Sequence, residues 1–85
     1  RGYMEKQYVK LIGKTRIIQK LNVIQWTGKN KTEIEEFIGV FGEVVNNQVI
    51  LGIHTGEIND YIVKDILGIY YSISPERFLK KYKEV

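Results

Sequence analysis

The chain has 85 residues, enough for one domain, and its balance of 44% hydrophobic and 27% charged residues excludes a disordered tail. It has no cysteine, which removes disulfides, thiolate zinc sites, iron–sulfur ligation and cysteine nucleophiles together. Apolar runs are four residues or fewer, so neither a membrane span nor a signal-peptide core is expected, and the reading is a cytoplasmic protein.

Thirteen isoleucines, no alanine and only five leucines argue against a helical bundle, because β-branched side chains suit a pleated surface better than a helix. Charge is segregated. Residues 1–31 carry eight basic groups against Glu5, residues 32–76 carry only Lys64 against eight acids, and residues 77–85 carry four basic groups against Glu84. Two readings follow: both ends build a basic surface for an anionic ligand, or they neutralise the acidic middle within the fold.

All 85 residues read as a single domain, with Met4 as the natural start and Arg1, Gly2 and Tyr3 as a leftover of expression. Residues 6–13 read as an edge strand ending at Gly13. Residues 16–26 read as a strand with Leu21 and Val23 on one side and Ile18, Ile24 and Trp26 on the other. Apolar groups on both sides call for cover on both, by a helix or by a second chain. After a Thr27–Asn30 loop, Thr32 and Glu35 have capping-box spacing, and Ile34, Phe37, Ile38 and Phe41 form the apolar face of a short helix stopped at Gly39 or Gly42. The acids Glu33, Glu35 and Glu36 fit the helix start better than a metal site.

Downstream, residues 43–45 and 48–53 flank Asn46-Asn47, a pair suited to a two-residue hairpin turn, and Thr55-Gly56-Glu57 reads as the next reversal. Residues 60–64 and 69–73 form a second hairpin about Asp65–Gly68. Ser74-Pro75-Glu76 starts a last helix, running to about Tyr82, that sets Phe78, Leu79 and Tyr82 against the sheet. The expected fold is α+β: a small, mostly antiparallel sheet of four to six strands with two short helices on one face. Its edges and leftover apolar area predict a homo-oligomer.

Chemistry has little to work with. His54 is the single histidine, no serine lies within four residues of it, and Gly52 and Gly56 lack the lysine and helix of a phosphate loop. No catalytic residue, metal site or cofactor is assigned, and no enzymatic activity is expected. Trp26, Tyr61, Tyr70 and Tyr71 share the strand segments with Lys20 and Lys64, a mixture able to stack a base and hold its phosphates. Trp26 and Tyr61 read as core, while alternation sends Tyr70 and Tyr71 to opposite faces. Lys64 is either a salt-bridge partner or a ligand contact.

The segment DYIVKDILGIYYSISPERFLKKY, from Asp60 to Tyr82, resembles the tail of a family of small proteins from phages and prophages of Gram-positive bacteria. The matching positions are Asp60, Tyr61, Ile62, Val63, Lys64, Gly68, Tyr70, Tyr71, Pro75, Phe78 and Tyr82, with Ile24-Gln25-Trp26 and Glu35–Gly39 fitting upstream. Ile58-Asn59 stands where the family has Pro-Gly, leaving Asn59 to supply the turn, and Asp65 stands in place of a glycine. The resemblance implies a phage-encoded accessory protein without known catalysis and brings no site residues with it. It leads to the expectation of a counter-defence protein whose oligomer holds an anionic nucleotide signal, with Lys64, Arg77, Tyr70, Tyr71 and Lys20 as the ligand-binding set. The alternatives are a direct protein inhibitor of a host defence effector such as a CRISPR nuclease, and a small virion or regulatory protein.

Overall fold

The computed structural model describes residues 6–84, so the expected start at Met4 and the residues before it lie outside the described chain. In chain order the elements are β1 (Lys6–Ile12), β2 (Thr15–Gln25), α1 (Lys31–Ile38) and a single 3-10 turn (Gly39–Phe41). The strands β3 (Glu43–Val45), β4 (Gln48–Leu51), β5 (His54–Gly56), β6 (Tyr61–Lys64) and β7 (Tyr70–Ile73) follow, then α2 (Pro75–Lys81) and β8 (Tyr82–Glu84). Five strands form one antiparallel sheet in the order β7-β6-β2-β1-β8, and β3-β4-β5 form a second. The α+β expectation holds, and the larger sheet has the expected strand number. The second sheet departs from the single sheet that the sequence predicts.

β2 sits at the centre of the larger sheet and divides the interior in two. Leu21 faces one side with Val63 of β6, where Tyr8, Phe78 and Tyr82 cover them. Ile24 and Trp26 face the other side with Ile62, where Ile34, Phe37 and Ile38 of α1 and Val49 and Leu51 of β4 cover them. The helices therefore lie on opposite faces, not on one. The cover that the sequence sought from a helix or a second chain comes, over Leu21–Trp26, from the chain's own elements. Trp26 is only 1% exposed, and its indole N–H donates to the Asn47 carbonyl at 2.9 Å, which ties the end of β2 to the β3–β4 turn. That turn is the expected one, with Asn46 and Asn47 both at positive φ (50° and 63°).

Several boundaries differ from the sequence reading, each for a local reason. β1 is not an edge strand, because the chain leaves α2 as β8 and pairs Tyr82–Glu84 with Tyr8–Lys10. Asn30, not Thr32, precedes α1: its Oδ1 accepts from the Thr27 N–H and hydroxyl, and its Nδ2 donates to Gln25 O and Glu33 Oε1. The side chain thus closes the loop and reaches α1 through the Glu33 carboxylate, without capping a helix N–H. The reversal after β4 falls at Gly52-Ile53, and His54–Gly56 pair back onto β4 as a strand. Gly56 is buried where β5 crosses β7, and a Cβ there would lie 2.9 Å from Ile62 Cδ1. Asn59 supplies its turn at φ 81°. Ser74 caps α2 as expected, accepting from the Arg77 N–H at 3.4 Å. Leu79 and Phe41 are 62% and 63% exposed and leave the cores that the helical spacing gave them.

Phe78 stacks on Tyr61 and Tyr82 at 4.3 and 5.1 Å between ring centres and meets the ring of Tyr8 edge-on at 5.8 Å. Removing that ring should cost about 3–5 kcal/mol, most of what a domain of this size has to lose. In urea unfolding, Phe78→Ala should lower the midpoint sharply, whereas Leu79→Ala on the exposed side should stay within about 0.5 kcal/mol of the parent.

Candidate anion-binding cleft

β7 is an edge strand, and α2 begins directly after it, so the open side of β7 forms one wall of a cleft of about 470 Å³. That size lies in the range of small-ligand sites. Tyr70 to Ile73 provide the strand wall, α2 presents Arg77 and Lys81, β1 contributes Lys10, and β5 brings His54 to the rim. Arg77 and Lys81 are four residues apart on α2, which sets them side by side on one helix face while Phe78 turns inward. Lys10 arrives because β8 places Tyr82 opposite it in register, and its ammonium stands 5.6 Å from the centre of the Tyr82 ring. Three cations line the cleft, and no carboxylate does.

Of the five residues the sequence nominated, the cleft gathers Arg77, Tyr70 and Tyr71. Lys64 is directly opposite Tyr70 in the β6–β7 pair, and its ammonium lies 5.6 Å from the centre of that ring instead of lining the cleft. Lys20 lies on β2 beside a different groove. The tyrosines are also less free than a base-stacking role needs. The ring of Tyr70 stacks with Phe41 at 5.3 Å, and its hydroxyl donates to the Phe37 carbonyl at 2.9 Å. The Tyr71 and Tyr82 hydroxyls lie 3.4 Å apart. Burial first, and that neighbouring hydroxyl second, hold the Tyr71 phenol well above the ordinary tyrosine range.

The sequence reading missed Lys10, Lys81 and His54. The Arg77–Lys81 spacing was available as a signal, since residues four apart on a helix share a face. Lys10 was not, because its place depends on β8. Among the described residues no three His, Asp or Glu side chains gather as a metal ion needs, and no helix is long and apolar enough to cross a membrane. The chain matches no protein-family model, no curated protein and no solved structure.

The Tyr71 shift has a consequence for stability. An unfolded tyrosine loses its proton near pH 10, whereas the native phenol keeps it, so above that pH the unfolded state binds fewer protons and stability falls. The contribution is complete below about pH 10 and is lost as pH climbs beyond it. Urea midpoints measured from pH 8 to 11 should therefore fall at the alkaline end, and Tyr71→Phe, which has no proton to lose, should fall less.

Proposed function

We propose that this protein is a non-enzymatic binder that captures a phosphate-bearing small molecule, a nucleotide, in the cleft between β7 and α2. The observation that carries the reading is the convergence of Lys10, Arg77 and Lys81 on one concave site without a carboxylate among its lining residues. Arginine offers a planar fork of donors for phosphate oxygens, and two lysines add point charge around it. The Tyr71 hydroxyl and the exposed His54 line the same cleft as polar groups for a sugar or base edge. The Ser72 hydroxyl on the same wall donates to the Thr55 carbonyl at 3.3 Å rather than to His54, which favours holding over conversion.

The biological setting comes from the phage-family resemblance of residues 60–82. In that setting a protein that holds a nucleotide withdraws an immune signal from the infected cell. Capture is preferred to direct inhibition of a defence enzyme because the cations gather in a hollow rather than spread over a flat face.

Calorimetric titration with a panel of linear and cyclic nucleotides tests the reading. Binding should weaken as salt rises, since exposed charges are screened over about 8 Å at physiological ionic strength. Arg77→Ala and Lys81→Ala should each cost about 1.5–3 kcal/mol of affinity for a charge-assisted contact, while Lys64→Ala leaves affinity near the parent value. Absence of binding across the panel would sink the proposal.

A further inference from the structure

β2 is longer than its partner on one side. β6 pairs only with Asn22–Gln25, so from Thr15 to Leu21 no described strand covers that side of β2. The two-residue turn at Gly13-Lys14 makes Ile12↔Thr15 the closing pair of the β1–β2 hairpin. In an antiparallel ladder closed this way, Thr15, Ile17 and Gln19 turn their peptide groups toward β1, and Arg16, Ile18 and Lys20 turn theirs outward. The open stretch is seven residues, about 23 Å at ~3.3 Å per residue.

Beside this edge lies a groove of about 520 Å³, lined by Ile17, Ile18 and Lys20 and closed at one end by Asp65, Ile66 and Leu67 of the β6–β7 turn. Ile18 is 64% exposed and Leu67 80% exposed. The Asp65 carboxylate is already engaged, accepting from the Leu67 and Ile69 N–H groups at 2.9 and 3.0 Å. That carboxylate keeps its charge at the end of the groove, while along the strand itself an incoming chain meets Arg16 and Lys20, on either side of an apolar Ile18.

We infer that the open edge of β2 is a docking site for an extended, acid-bearing segment of a partner protein, which adds a strand beside Arg16–Leu21. The segment carries an apolar residue opposite Ile18 and Asp or Glu two residues to either side, opposite Arg16 and Lys20. Main-chain bonds supply the attachment, and the alternating side chains supply the selection. A second copy of this chain is the poorer occupant: two-fold pairing about Ile18 sets Arg16 against Lys20 at both ends, and like charges opposite one another repel. The same cations that guard the edge against self-pairing thus choose an acidic strand. Lys20, nominated from sequence for the nucleotide site, belongs to this edge, and the inference stands apart from the β7–α2 cleft.

The test uses a fluorescein-labelled peptide, Thr-Glu-Thr-Val-Thr-Glu-Thr, and the same peptide with lysine in place of glutamate, titrated by anisotropy with amide hydrogen exchange followed by NMR. The acidic peptide should bind at least fivefold more tightly than the lysine peptide and slow exchange at Arg16, Ile18 and Lys20. The double variant Arg16→Glu/Lys20→Glu, exposed and so expected to fold, should reverse the preference. Ile18→Pro, which removes an outward N–H while leaving the β1 ladder intact, should weaken binding without reversing it. No binding at millimolar peptide, equal affinity for both peptides, or protection elsewhere would overturn the inference. So would protection of the three amides in the peptide-free protein that grows with protein concentration, since that assigns the edge to a second copy.

Discussion

The alternation of side chains along Leu21–Trp26 is the constraint on which the rest of this molecule depends, because one strand has to serve two separate cores. Leu21 belongs to the core under α2, and Ile24 and Trp26 to the core under α1 and β4. A slip of one residue in the β2–β6 register would turn every one of these groups to the wrong side. The indole N–H of Trp26 reinforces the register from outside the sheet, since a buried donor left without the Asn47 carbonyl would cost about 1–3 kcal/mol. The β3–β4–β5 sheet is held by that same bond and by the close crossing at Gly56.

The cleft is a by-product of this two-core plan. Because β6 and β7 extend the sheet away from β1, β7 keeps an open side, and the chain turns straight from it into α2 through Ser74. Phe78 and Tyr82 anchor the helix inward, which leaves Arg77 and Lys81 facing the β7 wall. Cations held close together without a carboxylate among them repel one another, and an anion between them relieves that repulsion. On the same sheet a second shortage occurs: β6 stops at Lys64, and the outer half of β2 has no described strand on the side away from β1. Both candidate surfaces thus arise from strands whose partners are too few or too short.

Much of the strand pattern was legible in the sequence. The Asn46-Asn47 turn, the Ser74-Pro75 helix start and the two-faced character of the strand over Leu21–Trp26 each rest on local chemistry that the fold preserves, whereas Ile17 and Ile18 stay exposed. What escaped was long-range. Nothing in Tyr82–Glu84 or His54–Gly56 alone marks a strand; β8 exists because β1 offers it an edge and β5 because β4 does. The same gap hid Lys10 from the candidate site. Lys64 was singled out as the solitary cation of an acidic stretch, yet what decides its place is the ring of Tyr70 across the strand pair, a pairing visible only once the register is known.

On the proposed reading, side chains of three separate elements hold an anion between β7 and α2. An amide and side-chain NMR titration with a cyclic dinucleotide addresses it most directly. Saturable shifts should centre on Lys10, Tyr71, Arg77 and Lys81, with Lys20 and Lys64 unmoved. Shifts spread over every exposed lysine, or none at the cleft when the nucleotide is in large excess, would contradict it.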